Sequence, residues 1–388
     1  MLDRDEPEHI RMLRQTLASF VEREMPHDLA QRWDSGETPL DRTFIKKLAA
    51  LDLTGLTVPA EYGGSGIDLR ACLVTLEVLA ARSTGAATLY QMATLFGGTH
   101  IVEMGSEEQK RKLLPRVVSG DLLVATGLSE PDVGADLASV KTRVRRDGDN
   151  LVVAGAKRWC TGAGKADLIW TLCNSDPDGA RHRNLTIVLV PVDAPGVVLE
   201  EQKTMGNHGP GTYDVTFQDV TLPVSALLGG EHCWNNGWSQ LLNTGLDLER
   251  IVSAVQALGV ARAAVEATWQ YAQERVQFGK PICTIQSIRH MLADVQTKLH
   301  SCTIMVDRVA ALLERNEPSP VETAMAKLYV CETARNIALT CQTVMGAYGY
   351  AVEYNVERYV RDALLMPIAG GSSAIMKNNI TNWMGLPR

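Results

Sequence analysis

Five kinds of feature are missing from this 388-residue sequence, and each absence removes a class of function. Its eight cysteines are scattered with no CxxC pair, which indicates neither a zinc site nor a disulfide framework and makes a reducing cytoplasm the simplest location. Basic runs are absent, and 38 Lys and Arg against 45 Asp and Glu leave a formal net charge of −7. That balance argues against an electrostatic nucleic-acid binder and against a membrane-surface protein. Apolar runs stay short: Leu185-Thr186-Ile187-Val188-Leu189-Val190 has the length of a strand, far below that of a spanning helix. The acidic N-terminus, Met-Leu-Asp-Arg-Asp-Glu, lacks the apolar core of a signal peptide and the Arg/Ser richness of a transit peptide. Finally, no GxGxxG or Walker stretch offers a familiar nucleotide cradle.

What is present reads as a multidomain globular protein. Apolar residues make up 45% and charged residues 21%, and the length suits two or three domains around a sizeable core. Ile10, Leu13, Leu17, Phe20 and Val21 recur at helical spacing, and Ser106-Glu107-Glu108-Gln109 is a capping box ahead of a helix expected to stop at Pro115. From about residue 121 short β-rich runs take over at 151–153, 167–173, 185–192 and 215–220, separated by turns such as Asp147-Gly148-Asp149-Asn150. These predict a small barrel or sandwich. Beyond residue 235 the helical period returns, with Leu248, Ile251, Val252, Val255 and Leu258 on one face and further segments at about 284–314 and 318–347. The expected architecture is an α+β multidomain chain: a helical domain over 1–120, a β domain over 121–232 and a C-terminal four-helix bundle over 233–388.

Four stretches stand out. Thr126-Gly127-Leu128-Ser129-Glu130-Pro131 is a turn-rich strand exit. In Lys157-Arg158-Trp159-Cys160-Thr161-Gly162, strand alternation puts Trp159 and Thr161 on one side, where the Trp either plugs a barrel mouth or lies against a bound ring. Arg275-Val276-Gln277-Phe278-Gly279-Lys280 ends a helix with a guanidinium whose fork of donors suits a pyrophosphate. Met345-Gly346-Ala347-Tyr348-Gly349-Tyr350 precedes Arg361-Asp362 and Ile368-Ala369-Gly370-Gly371-Ser372.

In this order the four stretches resemble the acyl-CoA dehydrogenases, and the resemblance covers essentially the whole chain. It implies that fold, FAD as cofactor and a homotetramer built as a dimer of dimers. It places Thr126, Leu128, Ser129, Trp159 and Thr161 at the isoalloxazine. Arg275, Gln277, Phe278 and Gln286 fall where a neighbouring subunit covers the ADP half, and Thr343, Gly346, Ala347 and Ser372 fall at further cofactor positions. Thr343 stands for a Gln, Ala347 for a Gly, Ser372 for a Thr and Ala374 for a polar residue, all expected to bear on the ADP side. Ala135 replaces a Ser that helps hold coenzyme A. Leu89, Tyr90, Asp247 and Gly371 complete the implied substrate contacts, and His208 stands where an Arg is common.

Many members carry their proton-abstracting Glu at the position filled here by Gly370. In the branch resembling isovaleryl-CoA dehydrogenase the base lies on a helix opening Gly-Leu-Asp-Leu-Glu-Arg, and this chain reads Gly245-Leu246-Asp247-Leu248-Glu249-Arg250. The resemblance thus implies that Glu249 takes the α-proton of an acyl thioester while flavin N5 accepts the β-hydride. Arg250 would neighbour the base, the Gly370 N–H would polarise the thioester carbonyl, and electrons would pass to an electron-transferring flavoprotein. Asp247 is the reserve base. Read from the residues alone, Glu249 is equally an acid favoured in a first helical turn. Two other outcomes stay open: an enoyl-CoA reductase like crotonobetainyl-CoA reductase, or a dehydrogenase of carrier-protein-bound acyl groups. A third, of another class, is a catalytically silent flavin-binding scaffold.

Overall fold

A computed structural model describes residues 6–242, 246–317 and 319–387, with the side chains of residues 246 and 247 outside that description. Among the described residues seven helices come first: α1 (Glu8–Glu24), α2 (His27–Ser35), α3 (Thr43–Ala49), α4 (Leu69–Arg82), α5 (Thr84–Gln91), α6 (His100–Met104) and α7 (Glu107–Val118). Their apolar stripes turn inward, Ile10, Leu17, Phe20 and Val21 of α1 among them. A π-helical segment, Met92–Thr99, joins α5 to α6. Such widened turns free backbone carbonyls and recur at functional sites; here Thr57 donates its hydroxyl to the Thr94 carbonyl at 2.9 Å.

The Ser106–Gln109 capping box forms in both directions. The helix it starts runs past Pro115 to Val118, contrary to the stop expected there. The ring removes one donor on the exposed face, where water can satisfy the carbonyl one turn earlier.

Seven strands then form one curled sheet: β1 (Val124–Gly127), β2 (Arg143–Asp147), β3 (Asn150–Thr161), β4 (Leu168–Asn174), β5 (Leu185–Pro191), β6 (Val197–Gln202) and β7 (Thr212–Pro223). The order is β1-β4-β2-β3-β7-β6, with β5 also paired to β4. β3 pairs antiparallel with β7, and the register slips between Lys157 and Cys160. This bulge lets Trp159 take a φ of +64°.

The remainder is helical: α8 (Gly237–Gln240), α9 (Leu246–Glu274), α10 (Gln286–Glu314), α11 (Pro320–Met345), α12 (Val356–Leu365) and α13 (Ser373–Trp383), with a two-stranded hairpin of β8 (Val276–Gln277) and β9 (Lys280–Pro281) between α9 and α10. α9 is central, packing on α4, α10, α11 and α12. By length and composition it is apolar enough to cross a membrane, but 78% of that window is buried inside the protein, as a core helix requires. One continuous apolar core runs from Ile10 to Met366 through all three regions.

Candidate active site

The N-terminal turns of α9 bring the expected base to a crowded junction. Leu248 and Arg250 are buried, and Glu249 between them is half-buried. Burial raises the pKa of the Glu249 carboxyl, against the opposing pull of Arg250 and Lys327. The Arg250 guanidinium lies over the Trp383 ring of α13, 5.3 Å from its centroid. Asp247, the reserve base and a proposed substrate contact, has its side chain outside the described residues.

Lys327 of α11 is fully buried and donates to the carbonyls of Met366 at 3.0 Å and Gly371 at 2.5 Å. Burial pulls its pKa down, while Cys331, Glu249 and Glu332 act in the other direction. The ammonium therefore ties the 366–371 loop to the bundle beside Glu249. Within that loop Gly370 holds a φ of +61°, a region costly for other residues. A Cβ on Gly370 would lie 2.4 Å from Ser253 Oγ and 3.6 Å from the Glu249 carbonyl oxygen. The loop and the first turns of α9 are thus in direct contact, with Ser253 filling the space where a side chain at 370 would start.

Next to this junction is an apolar cavity. Leu248 and Val252, which flank Glu249 on α9, form one wall; α4 gives Leu69, Cys72, Leu73 and Leu76; and Gln91, Thr94, Leu95 and Thr99 close it with Thr57. Leu89 and Tyr90, expected to gauge the acyl pocket, are fully buried but do not line this cavity. The Tyr90 hydroxyl instead donates to the Leu53 carbonyl at 2.8 Å. Thr94 and Leu95 of the π-helical segment lie in that wall, and Gly98 fits because a Cβ there would meet Thr57 Oγ1 at 2.2 Å.

The first two motifs come together at the sheet. Arg158 N donates to the Ser129 carbonyl at 2.9 Å, and the fully buried Lys157 donates to Leu128 O at 3.1 Å and to Glu130 Oε1 at 2.9 Å. Glu130 also accepts from the amides of Lys141 and Thr142, at 2.7 and 2.8 Å. This buried ion pair fixes the strand exit against the bulge. Around it Thr126, Leu128, Ser129 and Thr161 are half-buried, and Trp159 is 56% exposed. The Met92 sulfur packs on Gly162, joining this face to the cavity wall. An exposed ring, a row of half-buried hydroxyls and a backbone corner suit a flat heterocycle with polar edges, so the residues present fit an isoalloxazine. Ala135 lies nearby in sequence and is exposed.

The third and fourth motifs meet at the opposite end of α9. Arg275 lies over the Tyr348 ring at 5.1 Å, beside the exposed Thr343, Gly346 and Ala347. Gln277 bonds its own neighbour's carbonyl, Gln286 is exposed, and Phe278 at the hairpin tip is 92% exposed with a φ of +52°. At 1.5 Å per residue Arg275 lies about 39 Å along α9 from Glu249. Ser372, by contrast, belongs to the Glu249 end, where its hydroxyl caps α13 by accepting from Ile375 N at 3.3 Å. The expected ADP-side positions therefore lie at two ends of one protomer.

Sequence reasoning missed Lys327, Ser253, Trp383 and Gln91, whose roles arise from contacts distant in sequence. It flagged His208 only as a substitution. His208 Nδ1 faces the Asp34 carbonyl oxygen at 2.9 Å and Asp34 Oδ1 at 3.2 Å, and Nε2 faces Thr204 O at 2.8 Å. With acceptors on both nitrogens, led by Asp34, the ring's pKa rises to about 9. Arg361 Nη2 holds the other Asp34 oxygen at 2.6 Å, so this cluster pins the β6–β7 loop to α2 and α12.

Comparison with known proteins matches three family descriptions along the chain: "Acyl-CoA dehydrogenase, N-terminal domain" over residues 7–121, "middle domain" over 125–220 and "C-terminal domain" over 235–385. The chain is 35% identical over 371 residues to a probable acyl-CoA dehydrogenase of Bacillus subtilis, covering 94% of this chain and 95% of that one. It is 34% identical over 377 residues to benzylmalonyl-CoA dehydrogenase of Aromatoleum aromaticum, covering 97% and 98%. Among solved structures, butyryl-CoA dehydrogenase from Megasphaera elsdenii superposes with a TM-score of 0.92 at 29% identity, covering 99% of this chain and all of that one.

Proposed function

The chain belongs to the acyl-CoA dehydrogenase family, and from that premise we propose that it carries out FAD-dependent α,β-dehydrogenation of an acyl-CoA thioester with Glu249 as the base. One observation carries the reading: a half-buried carboxylate of raised pKa projects from the helical turn that both walls an apolar cavity and abuts Gly370.

An α-proton beside a thioester is weakly acidic, so its removal needs a positioned base and a polarised carbonyl at once. Glu249 is suited to the first task, because burial raises its affinity for a proton while Arg250 and Lys327 pull the other way. The Gly370 N–H, on the loop steadied by Lys327, is the donor assigned to the carbonyl oxygen. Leu248 and Val252 bring apolar surface to the helical turn that carries the base. A bound flavin would supply the two-electron acceptance that side chains lack. Thr126, Leu128, Ser129, Trp159 and Thr161 would hold its ring system. Arg275, Gln277 and Phe278, at the far end of α9, would reach the ADP half of a neighbouring subunit's cofactor, as the family likeness implies. We accordingly assign a homotetramer whose cofactor sites are shared, and an electron-transferring flavoprotein as electron acceptor. Kinship leaves the acyl group open, since benzylmalonyl and butyryl thioesters differ in whether they carry a second carboxylate.

The test is direct. The purified protein should be yellow, release FAD on denaturation, and bleach anaerobically with an acyl-CoA. Protein that binds no flavin, or flavin that bleaches only with carrier-protein thioesters, contradicts the proposal.

A further inference from the structure

We propose that His208 is a positioning residue for the flavin ring site, holding the Trp159–Thr161 corner in place through the loop on which it sits. His208 thereby acts on the site that the flavoprotein reading names, and its role there rests on that reading.

The corner is only lightly fixed by its own sheet. Register slips between Lys157 and Cys160, so β3 resumes its pairing with β7 at Cys160 with Tyr213 and Thr161 with Thr212, where the ladder ends. Past that end Gly162 holds a φ of +80° and Gly211 one of +76°, and neither glycine stiffens the chain. Two contacts close the corner: Gly162 N donates to Gly211 O at 2.8 Å, and the hydroxyls of Thr161 and Thr212 lie 3.3 Å apart. The corner's position is therefore inherited from the 203–211 loop that leads into β7.

That loop is held from outside the sheet. Asn207 N donates to Asp362 Oδ1 of α12 at 2.7 Å, and Thr84 of α5 donates to the other oxygen at 2.8 Å. Arg361 Nη1 donates to Met205 O at 3.1 Å, and Thr88 of α5 to Asn207 Oδ1 at 3.1 Å. The His208 carbonyl approaches α5 so closely that a Cβ on Gly85 would lie 2.0 Å from it. Each nitrogen of the His208 ring faces oxygen acceptors, on Asp34 and on Thr204, and only the imidazolium carries a proton for both. Asp34 of α2 touches the ring; behind it stand Arg361, Glu357 and Asp362 of α12, while α5 presents hydroxyls and no charge. Asp34 is held at about 2 and Arg361 stays cationic, so above neutrality the cluster changes by loss of the His208 proton, at about 9. The neutral ring keeps one donor and turns a lone pair on an oxygen, and one of its two ties breaks.

The experiment measures the FAD dissociation constant of the full-length protein by quenching of flavin fluorescence, for wild type, His208→Arg and His208→Gln. The wild-type constant should rise roughly threefold between about pH 7 and about pH 9.5, as the imidazolium is lost. His208→Arg, whose guanidinium stays charged, should remain flat over that interval. His208→Gln should bind FAD roughly tenfold more weakly at neutral pH and show no such rise. In the FAD-free protein, exchange of the Gly162 amide should quicken in His208→Gln and not in His208→Arg. His208→Gln that melts earlier yet binds FAD as tightly as wild type overturns the assignment, as does His208→Arg following the wild-type pH curve, which decides the matter even where the Gln variant fails to fold. Protein that binds no FAD in any form overturns the flavoprotein reading instead; the Gly162 amide then tests the loop alone, and unchanged exchange in His208→Gln removes the positioning role too.

Discussion

Ser253 Oγ lies 2.4 Å from the point where a side chain on Gly370 would begin, and it donates at 3.0 Å to the carbonyl of Glu249. One hydroxyl thus links the residue assigned as base to the position that carries none. The space a side chain at 370 would need is occupied, and the backbone there has a φ of +61°. A side chain at 370 would have to displace the Ser253 hydroxyl and accept a left-handed backbone.

Gly370→Ala should therefore lose about 1–2 kcal/mol from the left-handed backbone alone, and more from the contact with Ser253. Adding Ser253→Ala removes the obstructing oxygen and should recover the contact portion only. Denaturant unfolding of the two variants checks this; wild-type stability for Gly370→Ala would show that the loop relaxes freely.

Arg250 and Lys327 both lower the proton affinity of Glu249 against the effect of burial. Arg250→Gln and Lys327→Met should each raise the pKa of the base. Because the base must be ionised, the acid limb of kcat/KM should move to higher pH in both. Lys327→Met should also raise KM, because the 366–371 loop loses its anchor. An unmoved acid limb in both variants would separate these cations from the base.

The His208–Asp34 contact makes a prediction about stability and pH. His208 has its pKa raised from 6.5 to about 9, so its contribution is complete below about 6.5 and fades as pH rises toward 9. Asp34, which burial alone would raise, is held at about 2 by His208 and Arg361, and its contribution fades only in strong acid. The difference in melting temperature between wild type and His208→Gln should be largest near pH 6 and shrink by pH 9. His208→Arg should keep its pairing throughout that range. A difference that grows with pH would contradict the assignment.

Arg275 lies about 39 Å along α9 from Glu249, and under the proposed function it holds cofactor across a subunit boundary. Arg275→Ala should lose FAD on gel filtration while the wild type keeps it, and dissociating the wild-type assembly should release FAD in parallel. A monomer that retains FAD would refute the shared site.

Much of this was legible in the chain because strong periodicity and chemistry coincide. The α9 stripe from Leu248 to Leu258 and the long runs β3, β4, β5 and β7 bury enough apolar surface to mark themselves. The strands β1, β2 and β6 were not legible: β1 has four residues, and β2 and β6 are mostly solvent-facing, so hydrophobic patterning has little to register. Trp159 stood out in the sequence, although the bulge and the left-handed backbone that leave it exposed were not legible. Leu89 and Tyr90 are buried without lining the small cavity beside Leu248, where Thr94, Leu95 and Thr99 of the π-helical segment lie, a placement that helical spacing alone does not reveal. Lys327 and Gln91 carry no local signal, as a buried lysine on a helix and a glutamine at a helix end become meaningful only through partners 39 to 165 positions away.

The most direct test of the account is anaerobic mixing of an oxidisable acyl-CoA with FAD-loaded Glu249→Gln. The variant should retain FAD and bind the thioester, while the rate of flavin bleaching falls on the order of 10²–10⁴-fold below wild type. Bleaching at the wild-type rate would place the base elsewhere and contradict the assignment.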